Sequence, residues 1–226
     1  MPERSAIRRY YDRVGRGLDT QRFYEAAAVG RLLDRGRFGD AQHVVELGCG
    51  TGRLARRLLR DHLPATATYR GFELAQHMAT ISVDRLRPWS ERASVTVVDG
   101  DPPLPLADGA ADRFVATYVL DLMSPPDGRR WLDEARRLLA SGGLVCLVSI
   151  TPGTSPASRF VSDTWTRIWQ RRPMLVGGCR PIELTALLEG GTWEILDRDV
   201  VTAWLVSSEV LIARRSPRPS GPADGD

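Results

Sequence analysis

The run "VVELGCGTG", Val44 to Gly52, constrains this chain more than any other stretch. A short apolar segment leads straight into glycines at alternate positions, Gly48, Gly50 and Gly52. β-Branched residues suit a buried strand. Glycine just after a strand allows positive φ and lets a ligand lie against the backbone. In open α/β sheets, ligands bind at the carboxyl ends of strands, near the switch in strand order. The run therefore predicts a strand, a binding loop and a helix whose first N–H groups are free to meet a ligand.

The rest of the chain fits that element. From His43 onward strands and helices alternate: "HVVEL", "RLARRLLRDHL", "ATYRGFEL", "AQHMATISVDRLR", "ASVTVVDGD", "DRFVATYVLDLM" and "DGRRWLDEARRLLASGG". "LVCLVSI" is apolar enough to need cover on both faces. This order predicts an α/β fold, doubly wound around a mostly parallel seven-stranded sheet, with right-handed crossovers. "TWEILDRDVV" and "WLVSSEVLIARR" read as a closing hairpin, so the last strand is expected to run antiparallel. Residues 1–40 read as a helical cap or lid. In "RFYEAAAVGRLLDRG" the face Phe23, Ala26, Ala27, Gly30 and Leu33 is expected to point inward, and Gly36 to stop the helix. The double glycine of "ASGG" is expected to end the helix before the fifth strand. Residues 41–213 form the main domain, and the Pro-, Gly- and Ser-rich residues 214–226 read as a disordered tail.

Composition excludes several partners. All 31 Lys-plus-Arg residues are Arg, the net charge is only +3, and the arginines alternate with acids. That describes a solvated mixed surface and argues against a nucleic-acid groove. No apolar run approaches the ~20 residues of a membrane span, and no signal peptide is visible, so a cytoplasmic protein is expected. The three cysteines, Cys49, Cys146 and Cys179, have no metal-ligand spacing, so no metal site is expected.

Charge selects among ligands for the loop. A Walker loop needs Lys, which the chain lacks. The dinucleotide fingerprint is G-x-G-x-x-G, whereas here the third glycine comes one position early and Arg53 follows it. Glu46, two positions before Gly48, repels a pyrophosphate and attracts a cation. S-adenosylmethionine carries a sulfonium and an ammonium and no phosphate. On these residues "VVELGCGTG" resembles motif I of the class I S-adenosylmethionine-dependent methyltransferases, in their small-molecule branch. "YRGFELAQHM", "VVDGDPPLPLADGAADRF", "DRFVATYVLDLM" and "LLASGGLVCLVSI" resemble later segments of that family, over about residues 40–150.

The resemblance implies a site. Glu73, about 20 residues past the glycines, is the strand-end acid that accepts both ribose hydroxyls; Leu74 adjoins it. Asp101 with Pro102, ahead of Leu104 and Pro105, is implied at the adenine, with Asp99 as a rival and a turn-capping role as the plain alternative. Tyr118 packs over the donor, and Tyr11 in "YYDR" reaches it from the lid. Asp121 is implied as base or as a holder of a substrate hydroxyl, or else it caps the turn before "SPPDG". Trp165 and Trp169, one helical turn apart, wall an acceptor pocket or pack in the core. Arg180 binds an acidic group or stays solvated.

The resemblance thus implies an enzyme that uses S-adenosyl-L-methionine as cofactor and methylates a small-molecule acceptor. "YVLDLM" has no Asn-Pro-Pro-Tyr-like tetrad, which disfavours DNA-amino methylation. The alternatives are a dinucleotide-dependent oxidoreductase on a related sheet and a non-catalytic S-adenosylmethionine-binding protein. Acceptor and oligomeric state are not written in the sequence.

Overall fold

The computed structural model describes residues 1–15, 17, 22–190 and 193–216. Helices α1 (Arg4–Val14) and α2 (Arg22–Arg35) precede strand β1 (His43–Leu47). There follow α3 (Arg53–Arg57), β2 (Thr68–Glu73), α4 (Gln76–Leu86), β3 (Ala93–Val97) and β4 (Ala111–Thr117). The chain continues through α5 (Pro125–Leu138), β5 (Leu139–Ile150), α6 (Pro156–Arg171), α7 (Leu184–Leu188), β6 (Trp193–Ala203) and β7 (Val206–Arg215).

The seven strands are ordered β3-β2-β1-β4-β5-β7-β6. All pairs are parallel except those made by β7, which runs antiparallel to both β5 and β6. This is the expected sheet, antiparallel last strand included. Along β5 the side chains alternate between two cores. Val145 and Leu147 join one face with Trp131, Leu132, Leu138, Leu184 and Leu188. Leu144, Cys146 and Val148 join the other with Leu32, Leu33, Leu54, Leu58 and Leu59. The period of two in a strand buried on both faces explains why "LVCLVSI" is apolar throughout.

Three expectations are corrected. On α2 the inward face is Tyr24, Ala28, Leu32 and Leu33, while Phe23 is 56% exposed. The Ala-rich helix offers two adjacent apolar stripes, and packing against β5, β6 and β7 selects the second. The double glycine does not end α5. It lies within β5, where pairing with β4 shifts from Ala111↔Leu139 to Arg113↔Leu144 and Gly142 takes φ 78°. Finally, Arg214 and Arg215 of the expected tail belong to β7, Ser216 follows the strand, and 217–226 lie outside the described residues. Gly36 does stop α2, donating its N–H to Leu32 O at 2.8 Å.

The N-terminal segment divides in two. Helix α2 belongs to the core just described. Helix α1 lies across the carboxyl ends of the strands, where Asp12 accepts the N–H of His77 at 3.0 Å and so satisfies one open donor in the first turn of α4.

Candidate functional site

A cavity of about 250 Å³ opens at the carboxyl ends of β1, β2 and β4, roofed by α1. Its floor is the glycine loop. Gly48, Gly50 and Gly52 take φ of 66°, 54° and 75°, left-handed values that side chains rarely adopt. A Cβ on Gly48 would stand 2.3 Å from Val119 Cγ2, and one on Gly52 would stand 2.4 Å from Ser82 Oγ. The glycines therefore serve packing as much as ligand approach.

Within the loop itself, the N–H groups of Gly48, Cys49, Gly50 and Gly52 are taken by the fold. Gly48 and Cys49 both donate to Phe72 O, at 2.7 and 3.3 Å, and Gly52 donates to Cys49 O at 2.9 Å. Gly50 donates to Glu73 Oε2 at 2.8 Å. Helix α3 is a single short turn that runs into a π-turn at Leu58–His62. The loop thus bends back on β2.

Two buried carboxylates face this cavity. Glu46 is 1% exposed and accepts the Tyr69 hydroxyl at 2.6 Å. Burial pushes its pKa up to about 8; the Tyr69 bond opposes the shift and Glu73 adds to it. Glu73 Oε1 accepts the N–H groups of Leu74 and Ala75, both at 2.9 Å. Burial raises its pKa, against the pull of the Ala75, Gly50 and Leu74 N–H groups. A carboxylate has about four lone-pair sites, so three backbone bonds leave acceptor capacity on the cavity side.

Of the residues singled out from sequence, Tyr11, Glu46, Gly48, Gly50, Glu73, Leu74 and Tyr118 line this one cavity. Tyr118 sits at φ 55°, its hydroxyl 3.0 Å from Ser208 Oγ and its ring edge-on to Tyr24. Tyr11 donates to Gly177 O at 3.2 Å, and burial raises its pKa. Gly52, Asp101, Pro102 and Asp121 do not line the cavity.

Asp121 is fully buried behind the wall. Its Oδ2 accepts Ile150 N–H at 3.3 Å, and its Oδ1 has no partner among the described residues. Burial pushes its pKa up to about 7. Trp165 and Trp169 form neither a cavity wall nor deep core. Their indole N–H groups donate to Cys179 O at 2.9 Å and Gly178 O at 2.8 Å, which fixes the turn that carries Cys179 into the cavity. Arg180 stacks over Trp169 at 5.4 Å and donates to Met123 O at 3.0 Å.

Asp101 turns outward. It is ion-paired with Arg4 of α1 and lies 3.4 Å from Arg130 of α5; the Arg4 hydrogen bond is the main reason its pKa is lowered. Asp127 joins the same cluster, 3.6 Å from Arg130 and 3.9 Å from Arg4. The cluster latches α1 over the cavity. Exposed pairs of this kind contribute up to about 1 kcal/mol. Asp101→Ala is therefore expected to weaken cavity binding by less than about fivefold and to reduce its salt sensitivity. A loss well above tenfold at every ionic strength would place Asp101 on the ligand itself.

Sequence reasoning missed several cavity residues, among them Glu25, Val29, Arg57, Met78, Val98 and Cys179. They come from five different segments and carry no shared local pattern.

Residues 44–143 match the family described as methyltransferase domain. The chain is 28% identical to 2-methyl-6-phytyl-1,4-hydroquinone methyltransferase 2 of Oryza sativa subsp. japonica, over 54% of this chain and 33% of that protein. It is 26% identical to malonyl-[acyl-carrier protein] O-methyltransferase of Erwinia pyrifoliae, over 88% of this chain and 73% of that one. It thus spans about a third of the first of these relatives and most of the second. Among solved structures, the [4+2]-cyclase SpnF superposes with a TM-score of 0.64 at 20% identity, covering 84% of this chain and 80% of that chain. No helix among the described residues is long and apolar enough to cross a membrane. The family match, within a sheet of this strand order, makes residues 44–143 a methyltransferase domain of the class I S-adenosylmethionine-dependent fold.

Proposed function

We propose that this cavity binds S-adenosylmethionine and that the chain transfers its methyl group to a small-molecule acceptor. One observation carries the reading. The glycine loop donates its N–H groups to Phe72, Cys49 and Glu73, while two buried carboxylates, Glu46 and Glu73, face the cavity. Such a wall suits a cationic ligand with vicinal hydroxyls and repels a pyrophosphate, which argues against a dinucleotide. When bound, S-adenosylmethionine supplies a methyl group on a positively charged sulfur.

The chain's own residues have separable tasks. Glu73 accepts the ribose hydroxyls beside the three backbone bonds it already holds. Glu46, steadied by Tyr69, faces the cationic end. Leu74, Met78 and Val98 give an apolar bed for the base. Tyr11 and Ile7 on α1, with Tyr118, exclude water, and alignment of the reacting atoms in a dry site is the main demand of such a displacement. Asp121 acts from behind the wall, joining the turn after β4 to the end of β5.

The test is titration calorimetry with S-adenosylmethionine and with NAD, followed by turnover. Stronger binding of NAD overturns the reading. Glu46 adds a pH signature. In the ligand-free protein its pKa is about 8, so below that pH a cation must displace its proton. Donor affinity is therefore expected to rise with pH up to about 8 and then level off, by at most tenfold per unit. Glu46→Gln keeps an oxygen for Tyr69 and should flatten that profile.

A second reading has its own support: Asp121, the base that the resemblance implies, lies behind the cavity wall, and a cyclase shares the fold. Donor binding without release of S-adenosylhomocysteine, across a broad metabolite screen, would favour a non-methylating role.

A further inference from the structure

The cavity carries charged side chains at both ends. Glu46 and Glu73 stand at the end formed by β1 and β2. At the far end it runs between α2 and α3, where Ala26, Val29 and Leu54 make an apolar trough and Arg53 and Arg57 stand one helical turn apart. By sheet order this trough lies away from β2 and β3, because α2 packs on the β5, β7 and β6 side. Arg53 lies 4.0 Å from Glu25. Arg57, half-buried, has no carboxylate within bridging distance among the described residues. The acid nearest it in sequence, Asp61, already takes both arms of Arg60, at 2.7 and 2.6 Å. Glu25 also lines this end, while Arg8 of α1 lies toward the other, 3.9 Å from the Asp12 that caps α4. At the junction stands Tyr24, buried, with its ring edge-on to Tyr118 at 6.0 Å and to Phe23 at 5.1 Å. Its hydroxyl makes no hydrogen bond with another described residue.

We infer that this trough is the acceptor arm, and that the acceptor is an amphipathic acid. Its apolar or aromatic body lies over Ala26, Val29 and Leu54, its carboxylate or phosphate meets the Arg57 and Arg53 guanidinium groups, and Tyr24 hydrogen-bonds an oxygen near the reacting end. The inference rests on the donor reading above and adds the acceptor's class to it. The physics is direct. A guanidinium presents a planar fork that matches a carboxylate or phosphate. A long Arg stem lies along apolar surface while its charge faces the ligand. The Arg57 and Arg53 pair holds the acceptor's acid at the trough end, apart from Glu46 and Glu73.

The experiment uses the full chain, free and saturated with S-adenosylhomocysteine, and four fluorescent probes of one shape: 2-naphthoate, 2-naphthyl phosphate, 2-naphthylmethanol and 2-naphthylmethylammonium. Either or both acids are expected to bind at least tenfold tighter than the neutral alcohol, and the cation weakest. The two acid arms then tell carboxylate from phosphate. Arg57→Met is expected to weaken the acids about ten- to hundredfold, the usual loss for a charge-assisted bond, and to leave S-adenosylhomocysteine binding unchanged. Arg57→Lys should recover part of the loss. Equal binding of acid and alcohol, no binding of either acid, or unchanged acid binding by Arg57→Met overturns the inference. So does an Arg57→Met variant that loses S-adenosylhomocysteine alone, since Arg57 would then serve the donor. Failure of the wild-type chain to bind S-adenosylhomocysteine would instead strike the donor reading, while acid selectivity in the free chain remains measurable.

Discussion

Replacing Gly48 with alanine is expected to abolish tight donor binding and to lower the stability of the whole domain. Two costs add. A side chain at φ 66° carries about 1–2 kcal/mol of strain. Its methyl group would sit 2.3 Å from Val119 Cγ2, and such overpacking costs roughly 1–3 kcal/mol. Together these give about 2–5 kcal/mol, a fall in Tm of roughly 5–15 °C for a chain of this size. Val119→Ala in the same chain removes the clash and leaves the strain. The double variant is therefore expected to recover about half of the loss, measured by thermal unfolding. Were the single variant as stable as the parent, the loop would have another way to turn after β1.

Glu73→Ala is expected to act chiefly on binding. Its carboxylate accepts Gly50, Leu74 and Ala75 N–H groups at 2.8–2.9 Å, so it ties the glycine loop to the end of β2 before any ligand arrives. Losing the ribose contact alone costs about 1.5–3 kcal/mol. Losing the tie also frees the loop, and the buried Ala75 N–H loses its acceptor. Donor affinity should fall on the order of a hundredfold or more. A drop below fivefold would mean that the hydroxyls are held elsewhere and that Glu73 serves the loop alone.

These two residues also show what was legible in the sequence. The strand, the loop and Glu73 were readable because each is local: apolar run, glycines, acid at the next strand's end. The sheet followed from alternation, and its antiparallel strand from two apolar runs joined by a short turn. Three things escaped for a common reason. The buried face of α2 was chosen by strands more than a hundred residues downstream. The double glycine looks like a helix stop and serves as a strand irregularity, a choice made by the partner strand β4. Asp101 was placed inward on family likeness, while Arg4, 97 residues away, draws it outward. Local pattern sets the elements, and distant partners decide which way each one faces.

The place of β7 has a consequence for the order of assembly. Strand β6 precedes it in the chain, yet among the described residues β6 pairs with β7 alone, and β7 sits between β6 and β5. During synthesis β5 must therefore wait, one long edge unpaired, through α6, α7 and β6 until β7 emerges. An open apolar edge invites pairing with another chain, and closure over so long a separation is slow. The half of the sheet nearest the N-terminus can close first, and its far edge depends on a strand that slides in last, beneath α2.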